Sequence, residues 1–393
     1  MNFFTFILLL SLINPIYSQQ NLNMDNLKKI ITEFQQKFAP DKRTALFNVS
    51  CKLENENEVV LSGETDLADA KEALLKNLSQ AGYKLKDSIN VLPGNSFGDK
   101  KYGVVDVSVA NLRTAPKQEA ELASQALLGS RVKLLKESQG WSLVQTPDKY
   151  IAWMENDSYV QMNNLQISEL ELSKRIFFTK INGYCYSARN VNSDPVSDLV
   201  AGNLLKEVER DGEFVKVEYP DKRMGYILNT NCENFKDYLN SLRLTGENIV
   251  ITAKKFMGVP YLWGGTSGKL MDCSGFTRTV FMLNGIYLPR DASQQVNVGI
   301  PVDTKDGFSN LKPGDLLFFG KKATPTSKEK ITHVGIYIGN DDFIHESGMV
   351  QISSFDKSKK NYSHFRYTQF VKAKRIINSA GENGVQLLKN IQY

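Results

Sequence analysis

The sequence predicts a multi-domain protein: a small α/β domain at the N-terminus, two small β-barrels in the middle and a mixed α+β domain at the C-terminus. Three observations predict this order. Its 393 residues suffice for two or three domains. Two central stretches of short alternating strands repeat one order of motifs. The C-terminal part combines helical runs with continuous apolar strands.

The bulk composition excludes several classes of protein. Apolar residues make up 41% of the chain and charged residues 23%, as in ordinary globular proteins, so disorder, collagen and multi-span membrane proteins are excluded. The net charge of +5 is spread along the chain without a basic block, so we expect no nucleic-acid partner. Four cysteines are too few for a disulfide-built scaffold.

The N-terminus predicts export. An apolar run over 3–13 ends at Asn14-Pro15, and cleavage is expected after Ser18, so residues 1–18 fit a signal peptide. The run is too short to span a bilayer. It lacks a preceding Lys or Arg, and a buried N-terminal strand or helix is the alternative. Since no cysteine follows the cleavage point, we expect a periplasmic protein without a membrane anchor.

Residues 20–96 are predicted to form the small α/β domain, in which we find no chemistry. Apolar residues at helical or alternating spacing predict, in order, a helix and two strands: 24–38, 46–53 and 58–64. Thr65 is expected to cap a second helix, which Gly82 ends.

The middle of the chain resembles bacterial SH3-like domains. Residues 97–165 resemble the motifs N-x-R, x-L-x-x-G, W-x-x-V and Y-x-x-W in that order, with turn residues every eight to twelve positions. Residues 170–240 repeat the order, but the tryptophans are absent, so the resemblance is weaker there. It implies two SH3-like β-barrels.

Cys273 is the candidate nucleophile. It lies in the stretch Asp272-Cys-Ser-Gly-Phe276, where a helix is expected to begin. The unpaired N–H groups and dipole of a helix N-terminus lower the pKa of a thiol, which favours the reactive thiolate. A cysteine in this position is, by itself, more often a buried inert thiol.

Two histidines favour the catalytic interpretation. Of three histidines in the chain, His333 opens an alternating strand and His345 follows on the next strand, whereas His364 lies in a polar segment and is expected to be solvated. A base beside a thiol, with a second polar group to orient that base, is the arrangement that nucleophilic catalysis requires.

These motifs closely resemble the NlpC family of papain-like cell-wall peptidases. The shared pattern comprises Y-x-W-G-G, D-C-S-G-F, P-R-x-S/D, P-G-D-L-x-F, H-V-G-I-Y-x-G and a downstream histidine. The resemblance implies a papain-like α+β catalytic domain over 245–378. With paired SH3-like domains ahead of it, the chain is similar to the subgroup of γ-D-glutamyl-L-diamino acid endopeptidases. These cut murein (peptidoglycan) peptides after L-Ala-γ-D-Glu and require a free N-terminal alanine.

The resemblance implies roles for five residues around the thiol. Cys273 would be the nucleophile, His333 the general base and acid, and His345 the group that orients His333. Tyr261 would stand beside the thiol and help to stabilise the oxyanion, and Trp263 would form a wall of the substrate pocket.

The resemblance also implies substrate contacts. Asp272 and Ser274 would face the substrate, with Asp272 binding the alanine ammonium. Glu121 and Tyr150 of the first SH3-like domain would contact the same ammonium; a solvated surface acid and a packed aromatic are the alternatives for these two. The subgroup has serine where this chain has Ala292. Asp291 would still contact substrate, or else cap the following helix.

No metal or cofactor is expected, because the scattered histidines and cysteines have no metal-ligand spacing. Cys51 is expected to be a buried thiol. Cys185 and Cys232 fall on strands that lie near each other in SH3-like folds, which leaves a disulfide between them open.

The sequence thus predicts an exported cysteine peptidase that hydrolyses the γ-D-glutamyl–L-diamino acid bond of murein peptides with a free N-terminal L-Ala. One alternative is a cell-wall binding protein with an inert peptidase domain. Another is an N-acetylmuramoyl amidase or acyltransferase of the same superfamily. Lysine versus meso-diaminopimelate at the third substrate position, the oligomeric state and the role of the N-terminal domain stay open.

Overall fold

A computed structural model describes residues 24–54 and 58–391, which form two compact units. The first unit comprises the described residues up to Pro40 and from Phe47 to Val91, and the second unit the remainder. The predicted signal peptide lies outside the described residues. Within those residues, no helix has the length and apolar character needed to cross a membrane.

The first unit is a three-stranded sheet with two helices. In chain order its elements are α1 (Met24–Phe38), β1 (Phe47–Leu53), β2 (Glu58–Thr65), α2 (Ala68–Gln80) and β3 (Lys84–Val91). β2 pairs antiparallel with β1 and parallel with β3. The predicted first helix and two strands are confirmed, whereas β3 was not predicted. The predicted cap is wrong: Leu67 occupies the N-cap position of α2, and Thr65 Oγ1 accepts from the Leu67 N–H.

The second unit begins with a seven-stranded antiparallel sheet. Its strands are β4 (Tyr102–Val105), β5 (Val109–Arg113), β6 (Leu122–Leu127), β7 (Arg131–Ser138), β8 (Trp141–Gln145), β9 (Ile151–Glu155) and β10 (Tyr159–Met162). They are arranged in the order β10-β4-β7-β8-β9-β5-β6. Helix α3 (Asn164–Leu172) follows, capped by the Asn163 side chain, which accepts from the Gln166 N–H.

A second sheet repeats this topology. Its strands are β11 (Arg175–Phe178), β12 (Asn182–Tyr186), β13 (Pro195–Val200), β14 (Leu204–Asp211), β15 (Phe214–Glu218), β16 (Met224–Leu228) and β17 (Cys232–Asn234). Their order, β17-β11-β14-β15-β16-β12-β13, matches the first sheet strand for strand. Neither sheet closes on itself in the described ranges, so the prediction of two closed barrels is not confirmed.

The two cysteines of the second sheet are free, buried thiols. Cys185 lies on β12, which pairs with β13 and β16, whereas Cys232 lies on β17, which pairs with β11. Their strands are therefore not neighbours, and no disulfide joins them. Burial raises the pKa of each thiol to about 11, which makes both unreactive at neutral pH.

The C-terminal part is a mixed α+β domain. Its elements are α4 (Phe235–Ser241), α5 (Gly246–Lys255), α6 (Cys273–Met282), β18 (Ile286–Tyr287), α7 (Ala292–Gln295), β19 (Ile300–Val302), β20 (Leu316–Lys321), β21 (Lys330–Gly339), β22 (Asp342–Ser347), β23 (Met349–Ser354), α8 (His364–Gln369), β24 (Phe370–Arg375) and β25 (Gln386–Leu387). An antiparallel sheet has the order β19-β24-β20-β21-β22-β23, and α6 packs against β21 and β22. The apolar core between them includes Phe276, Val280, Val334 and Ile344.

A glycine that recurs at the same place in both repeats allows the two seven-stranded sheets to approach each other. Gly129 has a φ of +83°, and an added Cβ would overlap the carbonyl oxygen of Leu204. The Leu204 N–H donates to Leu128 O at 2.9 Å across this contact. Gly202 stands at the same place in the second repeat, also with a positive φ, and approaches Met282 of α6.

We expect Gly129→Ala to destabilise the second unit far more than Gly140→Ala. Gly140 has a φ of +81° with open space around it, so its substitution costs only backbone strain, about 1 kcal/mol. At Gly129 the Leu204 backbone must also move, and the total cost should be about 3 kcal/mol or more. Urea denaturation of both variants measures the difference; equal losses would contradict the close approach.

Candidate active site

The helix that carries the candidate nucleophile begins at Cys273. Asp272 is its N-cap, and the carboxylate Oδ1 accepts from the Gly275 N–H at 2.7 Å. Gly275 has to be a glycine, because an added Cβ would overlap the carbonyl oxygen of Gly265 in the Y-x-W-G-G loop. The first turn of α6 therefore packs directly on that loop, which fixes the position of the thiol.

The surroundings of the Cys273 thiol favour its protonated form. Burial raises its pKa to about 12, and the negative charge of Asp272 adds to the rise. Backbone N–H groups of Val334 and Ser274 lower the pKa without offsetting burial. The helix N-terminus thus acts in the predicted direction, but the burial of a side chain only 8% exposed outweighs it. A thiolate can form only by proton transfer to a base.

The two predicted catalytic histidines form one hydrogen-bonded chain with a serine. His333 on β21 places Nε2 2.8 Å from Nδ1 of His345 on β22, and Nε2 of His345 lies 3.0 Å from Ser353 Oγ on β23. Gly335 pairs with His345 across the strands, where an added Cβ would come within 3.0 Å of the histidine Cβ. The glycine of the H-V-G motif therefore leaves room for the second ring.

Both imidazoles are neutral at neutral pH. Burial lowers the pKa of His333 well below its usual value, and the positive charge of Arg366 acts in the same direction. Burial and Arg366 also lower the pKa of His345, to about 3. His333 lies next to Val334, whose backbone N–H reaches Cys273 Sγ, so the strand that carries the imidazole also contacts the thiol.

One cavity of about 420 Å³ is lined by Cys273 and by all seven residues predicted to contact substrate. Those seven are Glu121, Tyr150, Tyr261, Trp263, Asp272, Ser274 and Asp291. Two of them come from the first seven-stranded sheet or its loops, and five from the mixed domain. A larger cavity of about 550 Å³ is lined by none of the predicted residues. The structure therefore brings the predicted substrate contacts together around the thiol.

The first sheet is fastened to the Y-x-W-G-G loop at the edge of the cavity. Trp263, which is 61% exposed, donates from Nε1 to Glu121 Oε1 at 2.6 Å. Next to it, Gly264 has a φ of +83° and approaches Leu122 so closely that an added Cβ would overlap the Leu122 carbonyl oxygen. These contacts hold the Glu121 carboxylate at the cavity.

Asp272 does not have the free carboxylate that was expected to bind an ammonium. The buried Arg290 donates from Nη2 to Oδ2 at 2.6 Å and from Nη1 to Oδ1 at 3.1 Å. The Gly264 N–H also donates to Oδ2, at 3.0 Å. Ser274 Oγ lies 3.2 Å from Oδ1 and 3.0 Å from Arg290 Nη1. Asp272 is thus paired with a cation inside the protein while it lines the cavity, and its binding of an ammonium stays a prediction.

Asp291 presents its carboxylate at the cavity instead. It occupies the N-cap position of α7, but its Oδ2 accepts from Arg43 Nη1 at 2.7 Å. Burial, followed by the neighbouring charge of Asp291, raises the pKa of Tyr150. Asp291 therefore stands at the start of a helix and also faces the cavity, so the two alternatives for this residue are compatible.

Several residues of the site carry little or no signal in the sequence. The sequence places Arg290 in the P-R motif but indicates no role for it. In the structure Arg290 is almost completely buried and pairs with Asp272. Ser353 had no signal beyond a polar residue in an apolar strand. Arg43 had no signal in the sequence, because it lies 248 positions from its partner Asp291. His364, expected to be solvated in a polar segment, is exposed and is the first residue of α8.

Two stretches of the second unit match known families. Residues 258–372 match the NlpC/P60 family, and residues 112–158 match the bacterial dipeptidyl-peptidase Sh3 domain. The first match contains Cys273 and both buried histidines, and the second contains Glu121 and Tyr150.

The chain is also similar to characterised proteins. It is 29% identical to a gamma-D-glutamyl-L-lysine dipeptidyl-peptidase of Bacillus cereus over 234 residues, which cover 57% of this chain and 67% of that protein. It is 24% identical to dipeptidyl-peptidase 6 of Lysinibacillus sphaericus over 268 residues, 66% of this chain and 93% of that protein. The fold is similar to a crystal structure of an NlpC/P60 family protein from Bacillus cereus, with a TM-score of 0.59, 24% identity and coverage of 70% and 99%.

Glu346 is a buried acid without a hydrogen-bond partner. It follows His345 on β22, and in the described part of the chain neither of its carboxylate oxygens has a partner. Burial, followed by the charge of Asp272, raises its pKa to about 8. At neutral pH the side chain is therefore protonated, and its ionisation opposes folding.

We expect Glu346→Gln to remove a pH dependence of stability. Between pH 4.5 and 8 the unfolded glutamate is ionised while the folded one keeps its proton, so the free energy of unfolding of the wild type falls as pH rises. Relative to wild type, the variant should gain roughly 2–4 kcal/mol from pH 5 to pH 8. Urea denaturation across this range measures the gain. The exposed Glu382→Gln is the control; an equal pH dependence in both variants would contradict the assignment.

Proposed function

We propose that this chain, which carries an NlpC/P60 family domain and a bacterial dipeptidyl-peptidase Sh3 domain, is an exported cysteine peptidase. It hydrolyses the γ-D-glutamyl–L-diamino acid bond of murein peptides that have a free N-terminal L-alanine. The observation that carries the proposal is the cavity that joins Cys273 to Glu121, Tyr150 and Asp291. The names of the similar Bacillus and Lysinibacillus peptidases support this substrate class.

Catalysis would begin with proton transfer from a neutral thiol to a neutral imidazole. When His333 donates from Nε2 to His345, and His345 donates from Nε2 to Ser353, Nδ1 of His333 is unprotonated and can accept the Cys273 proton. The sulfur then bonds to the γ-carbonyl carbon of D-glutamate. His333 returns the proton to the departing amine as the C–N bond breaks, and water hydrolyses the thioester.

Tyr261 would stabilise the oxyanion that forms during this attack. It lines the cavity with Cys273, and burial, together with the charge that Cys273 and Asp272 can carry, raises the pKa of its hydroxyl. The hydroxyl therefore stays protonated and can donate to the developing negative charge. Trp263 would form the cavity wall, where its bond to Glu121 fixes its ring.

The free N-terminus would be recognised by three acceptors. An ammonium has three N–H donors, and removing it from water is costly unless each finds a partner. The carboxylates of Glu121 and Asp291 and the hydroxyl oxygen of Tyr150 line the same cavity and supply this set. Ser274, whose hydroxyl bridges Asp272 and Arg290, would contact the peptide close to the thiol.

The two seven-stranded sheets would be two SH3-like domains, over 97–165 and 170–240. Their identical strand order supports this interpretation, although only the first matches the Sh3 family. The first would supply walls of the cavity. The second packs against α6 and the first sheet through an apolar cluster that includes Leu204 and Met282, and would act as a support. Export would depend on the predicted signal peptide.

We expect Cys273→Ser to abolish release of the diamino acid from L-Ala-γ-D-Glu-L-Lys, because the hydroxyl is a far weaker nucleophile. His333→Ala should lower kcat about a hundredfold or more, and His345→Ala should cost less, because it only orients the base. His364→Ala is the control, since this histidine is exposed at the start of α8 and its ring lies near Tyr362 rather than the two buried histidines. If His345→Ala were the more damaging change at equal stability, the two roles would have to be exchanged.

We expect wild type to cleave the free tripeptide far faster than its N-acetyl form, which lacks the charge. Asp291→Asn and Glu121→Gln should each weaken this selection about ten- to a hundredfold, through the loss of a charge-assisted hydrogen bond. Glu119→Gln, an exposed acid two residues before Glu121, is the matched control. Equal cleavage of both tripeptides by wild type would contradict recognition of the ammonium and favour an amidase.

A further inference from the structure

A short N-terminal segment belongs to the second unit and reaches the cavity. Residues 41–46 group with the second unit and lie outside both family matches. The Ile151 N–H donates to Arg43 O at 2.6 Å, so the segment is bonded to β9 directly after Tyr150. Leu46 packs in an apolar cluster with residues of the first sheet. The segment is therefore anchored beside the cavity.

The side chain of Arg43 is held rigidly by Asp41. Nε donates to Oδ1 at 2.8 Å and Nη2 to Oδ2 at 2.7 Å, which is a two-pronged pairing with fixed geometry. Asp41 also accepts from Gln294 Nε2 at 2.8 Å. The bond to Asp41 raises the pKa of Arg43, so the guanidinium keeps its charge. Its Nε and Nη2 atoms are held in position by the Asp41 carboxylate.

The other end of the guanidinium faces the cavity. Nη1 donates to Asp291 Oδ2 at 2.7 Å and to Ser293 Oγ at 3.1 Å, and Arg43 lines the cavity together with Cys273. A fixed cation that lines the cavity therefore contacts a carboxylate that, in the proposed function, receives the substrate ammonium.

We propose that Arg43 closes the amino-terminal end of the cavity and limits the substrate to two residues before the cleaved bond. This inference rests on the proposed function. One additional residue would move the substrate ammonium by about 3.5 Å beyond its place at Asp291. That displacement directs it into the volume of the Arg43 guanidinium, which excludes it by size and repels it by charge.

Removal of Arg43 has a specific consequence for longer peptides. In Arg43→Ala, the carboxylates of Asp41 and Asp291 both lose the cation that lies between them. The ammonium of Gly-L-Ala-γ-D-Glu-L-Lys can then enter the vacated volume and pair with them. An N-acetyl tripeptide carries no charge to replace the guanidinium, so its gain should be much smaller.

The test compares kcat/KM for the tripeptide, the glycine-extended tetrapeptide and the N-acetyl tripeptide. In wild type the tetrapeptide should be cleaved at about a hundredth of the tripeptide value. Arg43→Ala should raise the tetrapeptide-to-tripeptide ratio at least tenfold, with a loss of a few-fold on the tripeptide as Asp291 becomes less well held. Arg43→Lys retains the cation and should not raise the ratio.

Arg223→Ala is the matched structural control. Arg223 is held by Asp221, two residues before it, through the same backbone and Nε contacts that join Arg43 to Asp41, but it does not line the cavity. Its substitution should leave all three substrates unchanged. A similar melting temperature for the two alanine variants shows that Arg43→Ala is folded.

Binding separates this inference from the proposed function. Calorimetry in a Cys273→Ser background should detect tetrapeptide binding only when Arg43 is also replaced by alanine. Three results would each overturn the role of Arg43 while the proposed function stands. The first is that Arg43→Ala changes neither the tetrapeptide-to-tripeptide ratio nor the affinity for the tetrapeptide. The others are an equal gain for the N-acetyl tripeptide in Arg43→Ala, and equal cleavage of tripeptide and tetrapeptide by wild type. If wild type neither cleaves nor binds the tripeptide, the proposed function fails, and this inference with it.

Discussion

The buried ion pair between Asp272 and Arg290 is the interaction on which the candidate site depends. Asp272 caps α6 and accepts from the Gly264 N–H of the Y-x-W-G-G loop, while Arg290 leads directly into Asp291. A single pair therefore fixes the helix that begins at Cys273, the loop that carries Trp263 and the turn that presents Asp291. Loss of one partner would leave an uncompensated buried charge, a cost of about 3–5 kcal/mol.

This use of Asp272 decides which charges face the cavity. Asp272 lines the cavity with its carboxylate paired to Arg290, and Glu121 and Asp291 reach the same cavity from different parts of the chain. Arg43 then compensates part of the charge of Asp291. Burial also sets the protonation of the reacting groups. It keeps the Cys273 thiol protonated and His333 neutral, so a thiolate forms only when the proton moves from the thiol to the imidazole.

Much of the local structure follows from patterns that span few residues. Helix α1, strands β1 and β2, and the strands that carry the two buried histidines lie where apolar periodicity predicts them. Patterns of this kind gave the wrong cap for α2, since a backbone can enter a helix without a side-chain acceptor. They also predicted a low pKa for Cys273, because the helix dipole is visible in the sequence and the extent of burial is not.

The sequence by itself determined the kinds of residue at the site, because motif spacing constrains neighbours along the chain. Only the tertiary structure decided how their charges are used. The bond from Trp263 to Glu121 spans 142 positions and that from Arg43 to Asp291 spans 248, and no periodicity reports contacts at such separations. Whether a carboxylate is free for substrate or already neutralised depends on which cations fold against it, and that is settled by packing in three dimensions.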